Sequence, residues 1–456
     1  MKRLIFCFDG TWNKLVPDLA TNVVLTAASI SRIAPDGVPQ IIHYDEGVGT
    51  GDLEQLRGGM FGYGLIDNVR EAYRFLVFNY DPGDEIYVFG FSRGAFSART
   101  FIGFIRHVGP LHRLHAGRID EAIGLYEDRL KGKDGSADAM RRFRSMYSDK
   151  VCIGQEDEDW RCSNKSGYVA GSAPQMTIKY LGVWDTVAAM GVPDIIPGSD
   201  WFNREYDYHD ASLDAFVENA RHAVAIDERR KLFPVVLFDD VDDLNRSRGF
   251  ESDHDDAPYQ ERWFPGVHGS VGGGGDIRGL SDDALMWVLA GAKKAGLKLD
   301  TARGTRIHGL RPDPLAPLVN EADPDFSATG LIKGDRQGPN HIWQLSRSAI
   351  RRWRTPAAKM EGEAYRPDTL ESVKKELDKM GPWTFDPPTD LVAEEKVGIG
   401  DTLSKFAHKH YGDAELWTEI YDANRDRILD PDEILPGLEV RIPRRTQDSI
   451  AAGGGD

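Results

Sequence analysis

Between Glu85 and Arg99 the chain reads Glu-Ile-Tyr-Val-Phe-Gly-Phe-Ser-Arg-Gly-Ala-Phe-Ser-Ala-Arg. A short apolar run leads into a turn carrying Ser92, and an Ala- and Phe-rich stretch of helical character follows. A strand that turns sharply into a helix favours a layered α/β sheet, because the strand is buried on both faces and the helix packs back on it. Gly90 and Gly94 bracket the turn in the G-x-S-x-G spacing of a nucleophile elbow. Two backbones pass closely there, and a Cβ on either flank would clash. The turn lifts the Ser92 hydroxyl above the sheet edge and aims a helix N-terminus at the oxyanion that would form. Five residues make a common pattern, so the strand before and the helix after give it weight. An ordinary βα turn is the alternative.

The same rhythm runs through the first 300 residues. Leu4 to Phe8 is an apolar strand ending in the polar loop Asp9-Gly10-Thr11-Trp12-Asn13, at the sheet edge where α/β folds bind ligands. Gln40 to Tyr44 is a second strand, and Leu65, Val69, Ala72 and Leu76 keep helical spacing. The elbow helix is expected to reach about His107. Met176 to Val183 resumes strand character and delivers Asp185, 211–227 reads as helix, and Pro234 to Phe238 as a short strand. Arg262 to Val267 leads into His268 and four glycines, and Ser281 is placed to cap a helix with Asp282 and Asp283 in its first turn. The expected fold is α/β: a doubly wound, mostly parallel sheet over 1–300. Residues 111–175 interrupt it with a helical insertion (Ile119, Ala122, Ile123, Tyr126, Leu130, then Met140, Phe143, Tyr147) and a loop over 155–171. That insertion is a cap over the site or a peripheral hairpin. Residues 301–390 form a proline-rich connecting region, partly packed on the core, with a basic helical patch at Arg347, Arg351, Arg352 and Arg354. A small strand-helix-helix-strand domain spans 391–445, and a disordered tail 446–456.

Composition narrows the partners. A formal net charge of -17 argues against a nucleic-acid backbone as the main partner. No run approaches the roughly 18 apolar residues of a membrane span. Met1-Lys2-Arg3 runs straight into a strand without a secretory-signal pattern, so cytoplasmic synthesis is the default and signal-less export stays open. Cys7, Cys152 and Cys162 do not make a disulfide framework.

A serine hydroxyl needs a base, and the base an orienting acid. In the α/β-hydrolase plan these follow in the order Ser, acid, His. Asp185, at a strand end, is the leading acid, with a turn or cap role as the alternative and Asp194 and Asp45 in reserve. His268, between an apolar strand and a glycine-rich loop, is the leading base. His222, the rival, reads as a mid-helix structural histidine. The backbone N–H of Arg93 is one expected oxyanion donor, and Gly10 or Thr11 the second. Asp9 is expected either to position the histidine or to support the elbow. The acidic clusters at 238–243 and 252–256 lack the spacing of a calcium loop, and the glycine run lacks the Gly-Lys-Ser/Thr ending of a phosphate loop. No metal or cofactor is expected.

Taken in order, Phe8-Asp-Gly-Thr-Trp-Asn13, Tyr44-Asp-Glu-Gly-Val-Gly-Thr50, Gly90-Phe-Ser-Arg-Gly-Ala95, Gly182-Val-Trp-Asp-Thr-Val187, Asn219-Ala-Arg-His222 and Phe264-Pro-Gly-Val-His268 with Val271-Gly-Gly-Gly274 resemble a bacterial family. It is the domain-of-unknown-function α/β-hydrolases that include type VI secretion phospholipase effectors. The resemblance implies an esterase with Ser92 as nucleophile, supports Asp185 and His268 as its partners, and points to lipid or phospholipid acyl esters as substrate. One departure is that Gly269-Ser270 stands where the family usually has a serine and an aspartate. The C-terminal segment (Gly400-Asp-Thr-Leu403, Leu416 to Asn424, Leu435 to Pro443) resembles a LysM module. That resemblance implies binding of peptidoglycan-type glycans or docking to a secretion apparatus. It keeps open a second reading, in which LysM is the working part and the hydrolase fold its carrier.

Overall fold

A computed structural model describes residues 1–10, 19–47, 61–188, 213–231, 233–300, 305, 307–319, 333–360, 362–398, 400–432 and 434–445. Six strands, all parallel, build the main sheet: β1 (Arg3–Phe8), β2 (Gln40–Asp45), β3 (Glu85–Phe91), β4 (Tyr180–Trp184), β5 (Ala220–Ala225) and β6 (Tyr259–Phe264), in the order β2-β1-β3-β4-β5-β6. The chain leaves β1 toward one edge and returns to its other side with β3. The carboxyl ends of β1 and β3 therefore form the crevice where such sheets bind ligands. Phe8 lies opposite Gly90, which puts Asp9 beside the elbow.

Alternation within β1 shows why both faces are covered. Leu4, Phe6 and Phe8 join a cluster with α2 (Phe61–Asn79) and α3 (Arg93–Val108), whereas Ile5 and Cys7 face α1 (Asn22–Ser29) and a later helix. Burial on both faces is what a fully parallel sheet requires. The insertion adds α4 (Ile119–Leu130), α5 (Ser136–Tyr147) and α6 (Gly154–Asn164), whose Ile119, Ala122, Tyr126, Met140 and Phe143 enter the α2/α3 cluster. Arg144 and Arg161 converge on the buried Asp157 within it. Cys7, Cys152 and Cys162 are free thiols.

Four expectations change. The helix over 211–227 is, among the described residues, a loop and then strand β5; residues 211 and 212 lie outside them. Sheet pairing on both sides overrides the helix propensity of Ala220, Ala223 and Ala225. The loop over 155–171 opens as helix α6. Pro234 to Phe238 makes an isolated bridge between Val235 and Val187 rather than a strand. After α7 (Val241–Ser247) and α8 (His268–Gly272), helix α9 (Gly279–Lys294) starts before Ser281, whose hydroxyl donates to the Arg278 carbonyl at 3.1 Å.

The region beyond 300 covers the sheet edge. The Ser346 N–H donates to the Trp263 carbonyl of β6 (2.9 Å), and α10 (Arg347–Arg354) and α11 (Lys374–Lys379) seat Ala349, Trp353 and Leu377 with Val224, Ile226 and Trp263. An edge strand so covered offers no template for further pairing. The C-terminal module pairs β7 (Leu391–Lys396) antiparallel with β8 (Glu439–Pro443) around α12 (Leu403–Tyr411) and α13 (Trp417–Asp422), and has its own core of Val397, Phe406, Ile420 and Ile442. Two arginines of the basic patch dock this module, whereas Arg352 donates to the Pro314 and Ala316 carbonyls and Arg354 to that of Gly381. Arg347 donates to the Leu429 carbonyl, and Arg351 to those of Arg425 and Asp426. The tail 446–456 lies outside the described residues.

Candidate active site

The elbow begins with steric necessity. A Cβ on Gly90 would stand 2.6 Å from the Ala95 Cα, and one on Gly94 would stand 2.3 Å from the Asp9 carbonyl oxygen. Real Cβ atoms do not come that close, so only glycine lets β1, β3 and α3 converge here. Ser92 itself sits at φ 59°, ψ −128°, a conformation L residues rarely adopt and one that strains the turn. Its N–H donates to the Trp184 carbonyl (3.1 Å), and its carbonyl accepts from the Ala95 N–H (3.1 Å).

Three strands bring the sequence candidates together. The Ser92 Oγ lies 2.8 Å from His268 Nε2, and His268 Nδ1 lies 2.5 Å from Asp185 Oδ2. Asp185 follows β4 in a left-handed turn at φ 38°, is fully buried, and also accepts the Ala225 N–H through Oδ1 (2.9 Å). Its carboxylate can accept a hydrogen bond from Nδ1–H and leave Nε2 free to accept from serine. The His268 ring packs between Phe91 and Phe233, with centroids 4.7 and 5.1 Å away, which restricts its rotation.

Charge around the carboxylate is arranged tightly. Burial alone would push the Asp185 carboxyl up, but the Arg336 guanidinium and His268 outweigh it and hold the group well below the usual carboxylate range. Arg336 reaches Oδ1 with Nη1 (2.6 Å) and Oδ2 with Nη2 (3.0 Å). Glu228 accepts the His268 backbone N–H at 3.3 Å and pairs with Arg230. Burial pushes its carboxyl up, and the Arg230 pair overrides this and holds it low.

Other candidates fall outside the hydrogen-bonded Ser92–His268–Asp185 array. His222 stands on β5, not in a helix. Its Nε2 accepts the Thr186 N–H (3.1 Å) and its Nδ1 lies 2.8 Å from Glu261, so it supports the turn after Asp185. Asp45 closes a turn by accepting the Gly47 N–H at the end of β2. Asp9 is buried; its carboxylate accepts from Thr21 Oγ1 (2.6 Å), Tyr44 OH (2.8 Å) and the Gly10 N–H (2.7 Å). It braces the loop beside the elbow, and the Gly10 N–H is engaged with it. The Arg93 side chain is half-buried, and loss of solvent around it pulls its guanidinium down to about 10. Thr11 and Asp194 lie outside the described residues.

Arg336, Glu228 and Glu261 escaped the sequence reading. Glu228 was findable, since recognising β5 as a strand places Asp227-Glu228 at its carboxyl edge. Arg336, in Lys333-Gly-Asp-Arg-Gln-Gly-Pro339, carries no periodic or motif signal.

Comparison with known proteins gives relatives of partial length. Over 252 residues, 52% of this chain, it is 28% identical to an uncharacterized protein of Saccharomyces cerevisiae, of which it covers 33%. Over 47 residues, 10% of this chain, it is 46% identical to the potassium binding protein Kbp of Escherichia coli, of which it covers 32%. The chain thus spans about a third of the length of these curated relatives. Among solved structures, an uncharacterized protein from Pseudomonas aeruginosa aligns with TM-score 0.35 and 18% identity over 65% of this chain and 46% of that one. The Tle1 effector bound to the VgrG spike of a type 6 secretion system aligns with TM-score 0.33 and 16% identity, over 59% and 51%. Residues 2–291, more than half of the chain, match the catalytic domain of type VI secretion Tle1-like phospholipase effectors, and the chain belongs to that family.

Proposed function

We propose that the protein is a serine hydrolase of lipid acyl esters, phospholipids foremost, working through Ser92, His268 and Asp185. The observation that carries this reading is the continuous hydrogen-bonded chain from Ser92 Oγ through His268 to Asp185, on an elbow whose serine is held at positive φ. His268 Nε2 takes the hydroxyl proton as Ser92 Oγ attacks the ester carbonyl. The tetrahedral oxyanion is met by the Arg93 N–H at the start of α3. Its collapse expels the alcohol, protonated by His268, and leaves an acyl-serine. Water, deprotonated by His268, then attacks that ester and releases the fatty acid. A second oxyanion donor from Gly10 would require its N–H to leave Asp9; Thr11 is the other source. Membership of the phospholipase effector family supports a lipid substrate and export through a type VI apparatus.

The C-terminal module is, on this reading, a LysM-like accessory for docking or glycan contact, supported by its strand-helix-helix-strand order. A carrier role for the hydrolase fold does not account for an assembled Ser-His-Asp array.

A fluorophosphonate probe followed by peptide mapping tests the assignment. Modification of Ser92, with loss of phospholipid and short-ester turnover in Ser92→Ala, is expected. Turnover retained by Ser92→Ala would remove Ser92 from the chemistry.

A further inference from the structure

The acid of the site is held from a part of the chain that the family match does not reach. Residues 2–291 carry the match, whereas Arg336 lies beyond it, in a segment stitched to the loop after β5. Arg230 bridges Lys333, the Gly334 N–H donates to the Arg229 carbonyl (2.9 Å), and Arg229 pairs with Asp335 at 2.8 Å. That same loop carries Glu228 and Phe233, which touch His268. The segment thereby delivers a guanidinium only 7% exposed, whose two terminal nitrogens make four bonds. Two go to the Asp185 oxygens, and two to the carbonyls of Ala225 (3.0 Å) and Phe233 (2.9 Å). Its Nε is buried without a partner. The fork is therefore fitted to the carboxylate at the expense of its third edge.

We propose that Arg336 is a positioning residue of the catalytic centre, clamping Asp185 in the plane that orients His268 and offsetting part of its charge. The inference rests on the Ser92–His268–Asp185 reading above. Both Asp185 oxygens are saturated, Oδ1 by Ala225 and Arg336 and Oδ2 by His268 and Arg336, so the carboxylate cannot rotate without breaking several bonds. The charged groups facing His268 and its immediate partners are Asp185, Glu228, Arg230 and Arg336, and the ring otherwise meets Phe91, Phe233 and the Ser92 hydroxyl.

Full-length Arg336→Met and Arg336→Lys, assayed on a phospholipid and normalised to fluorophosphonate-reactive sites, test this. Loss of the clamp should lower kcat about 100-fold with KM little changed, the scale of a misplaced catalytic group. Arg336→Lys should recover only part of the rate, since an ammonium cannot span both oxygens. A purely structural arginine would lower the number of reactive sites and leave kcat per site unmoved; that result overturns the proposal. If Arg336→Met does not fold, Arg336→Lys decides, because a wild-type rate per site from it also overturns the clamp. Failure of the triad itself would read differently, as turnover retained by Ser92→Ala.

Discussion

Asp185 concentrates the energetics of the site in one residue. It is fully buried, held at positive φ, and bonded to His268, Ala225 and Arg336. Asp185→Asn should lower kcat by about 10⁴-fold, the cost of a mis-set histidine tautomer. It also leaves Arg336 facing an amide, and a buried charge without its partner costs about 3–5 kcal/mol. The double variant Asp185→Asn with Arg336→Met should therefore regain Tm without regaining kcat, measured by thermal denaturation alongside turnover. The pH dependence has a definite sign. A carboxyl whose folded value is depressed adds stability above its unfolded value, 3.8, and loses that stability as pH falls through the folded one. The Tm gap between wild type and Asp185→Asn should be full at pH 7 and narrow only below about pH 4, at the unfolded carboxylate value. At this scale the sequence was most informative. Ser92, Asp185 and His268, which the fold brings into hydrogen-bond contact, were each legible from residue type and strand-end position, whereas Arg336 lacked any local sign.

Elements decide how those residues meet. The short helix α8 brings Gly272 against Phe91, the residue that precedes Ser92 and packs on His268. A Cβ on Gly272 would lie 1.9 Å from the Phe91 ring. Gly272→Ala must push that ring away, so we expect a loss of about 1–3 kcal/mol from overpacking and a fall in Ser92 labelling rate, read by denaturant midpoint and probe kinetics. Strand β5 shows why sequence periodicity ran out. Ala-Arg-His-Ala-Val-Ala is too short to separate a buried strand from a helix, and alanine leans the wrong way. Pairing with β4 and β6 decides it. Reading it as helix moved His222 off the sheet and hid Glu228 at the strand end.

Across the whole molecule, the C-terminal module and α9 face each other over a cavity of about 230 Å³ lined by Phe264, Met286, Trp287, Ile428 and Leu435. Asp283 of α9 lines it as well. Burial, with the nearby Asp430 and Asp282, pushes its carboxyl up to about 6 despite a hydrogen bond with Ser348. Its ionisation therefore opposes the folded state. That penalty is absent below the unfolded value of 3.8, grows through pH 6, and is complete above it. Asp283→Asn should raise Tm at pH 8 and leave it nearly unchanged at pH 4, a difference that calorimetry at the two pH values reads directly. Among the described residues, no helix is long and apolar enough to cross a membrane.

The α/β class and the glycine-flanked serine turn were determined by the sequence alone, because buried parallel strands and a strained glycine-flanked turn leave local signatures in residue type and spacing. Tertiary structure decided what depends on distant segments meeting. It made residues 220–225 a strand, gave two arginines of the basic patch to module docking, and set an arginine from outside the matched domain on the Asp185 carboxylate. Such contacts join positions far apart in the chain, as with the 151 residues between Asp185 and Arg336, and no local pattern encodes a partner at that separation.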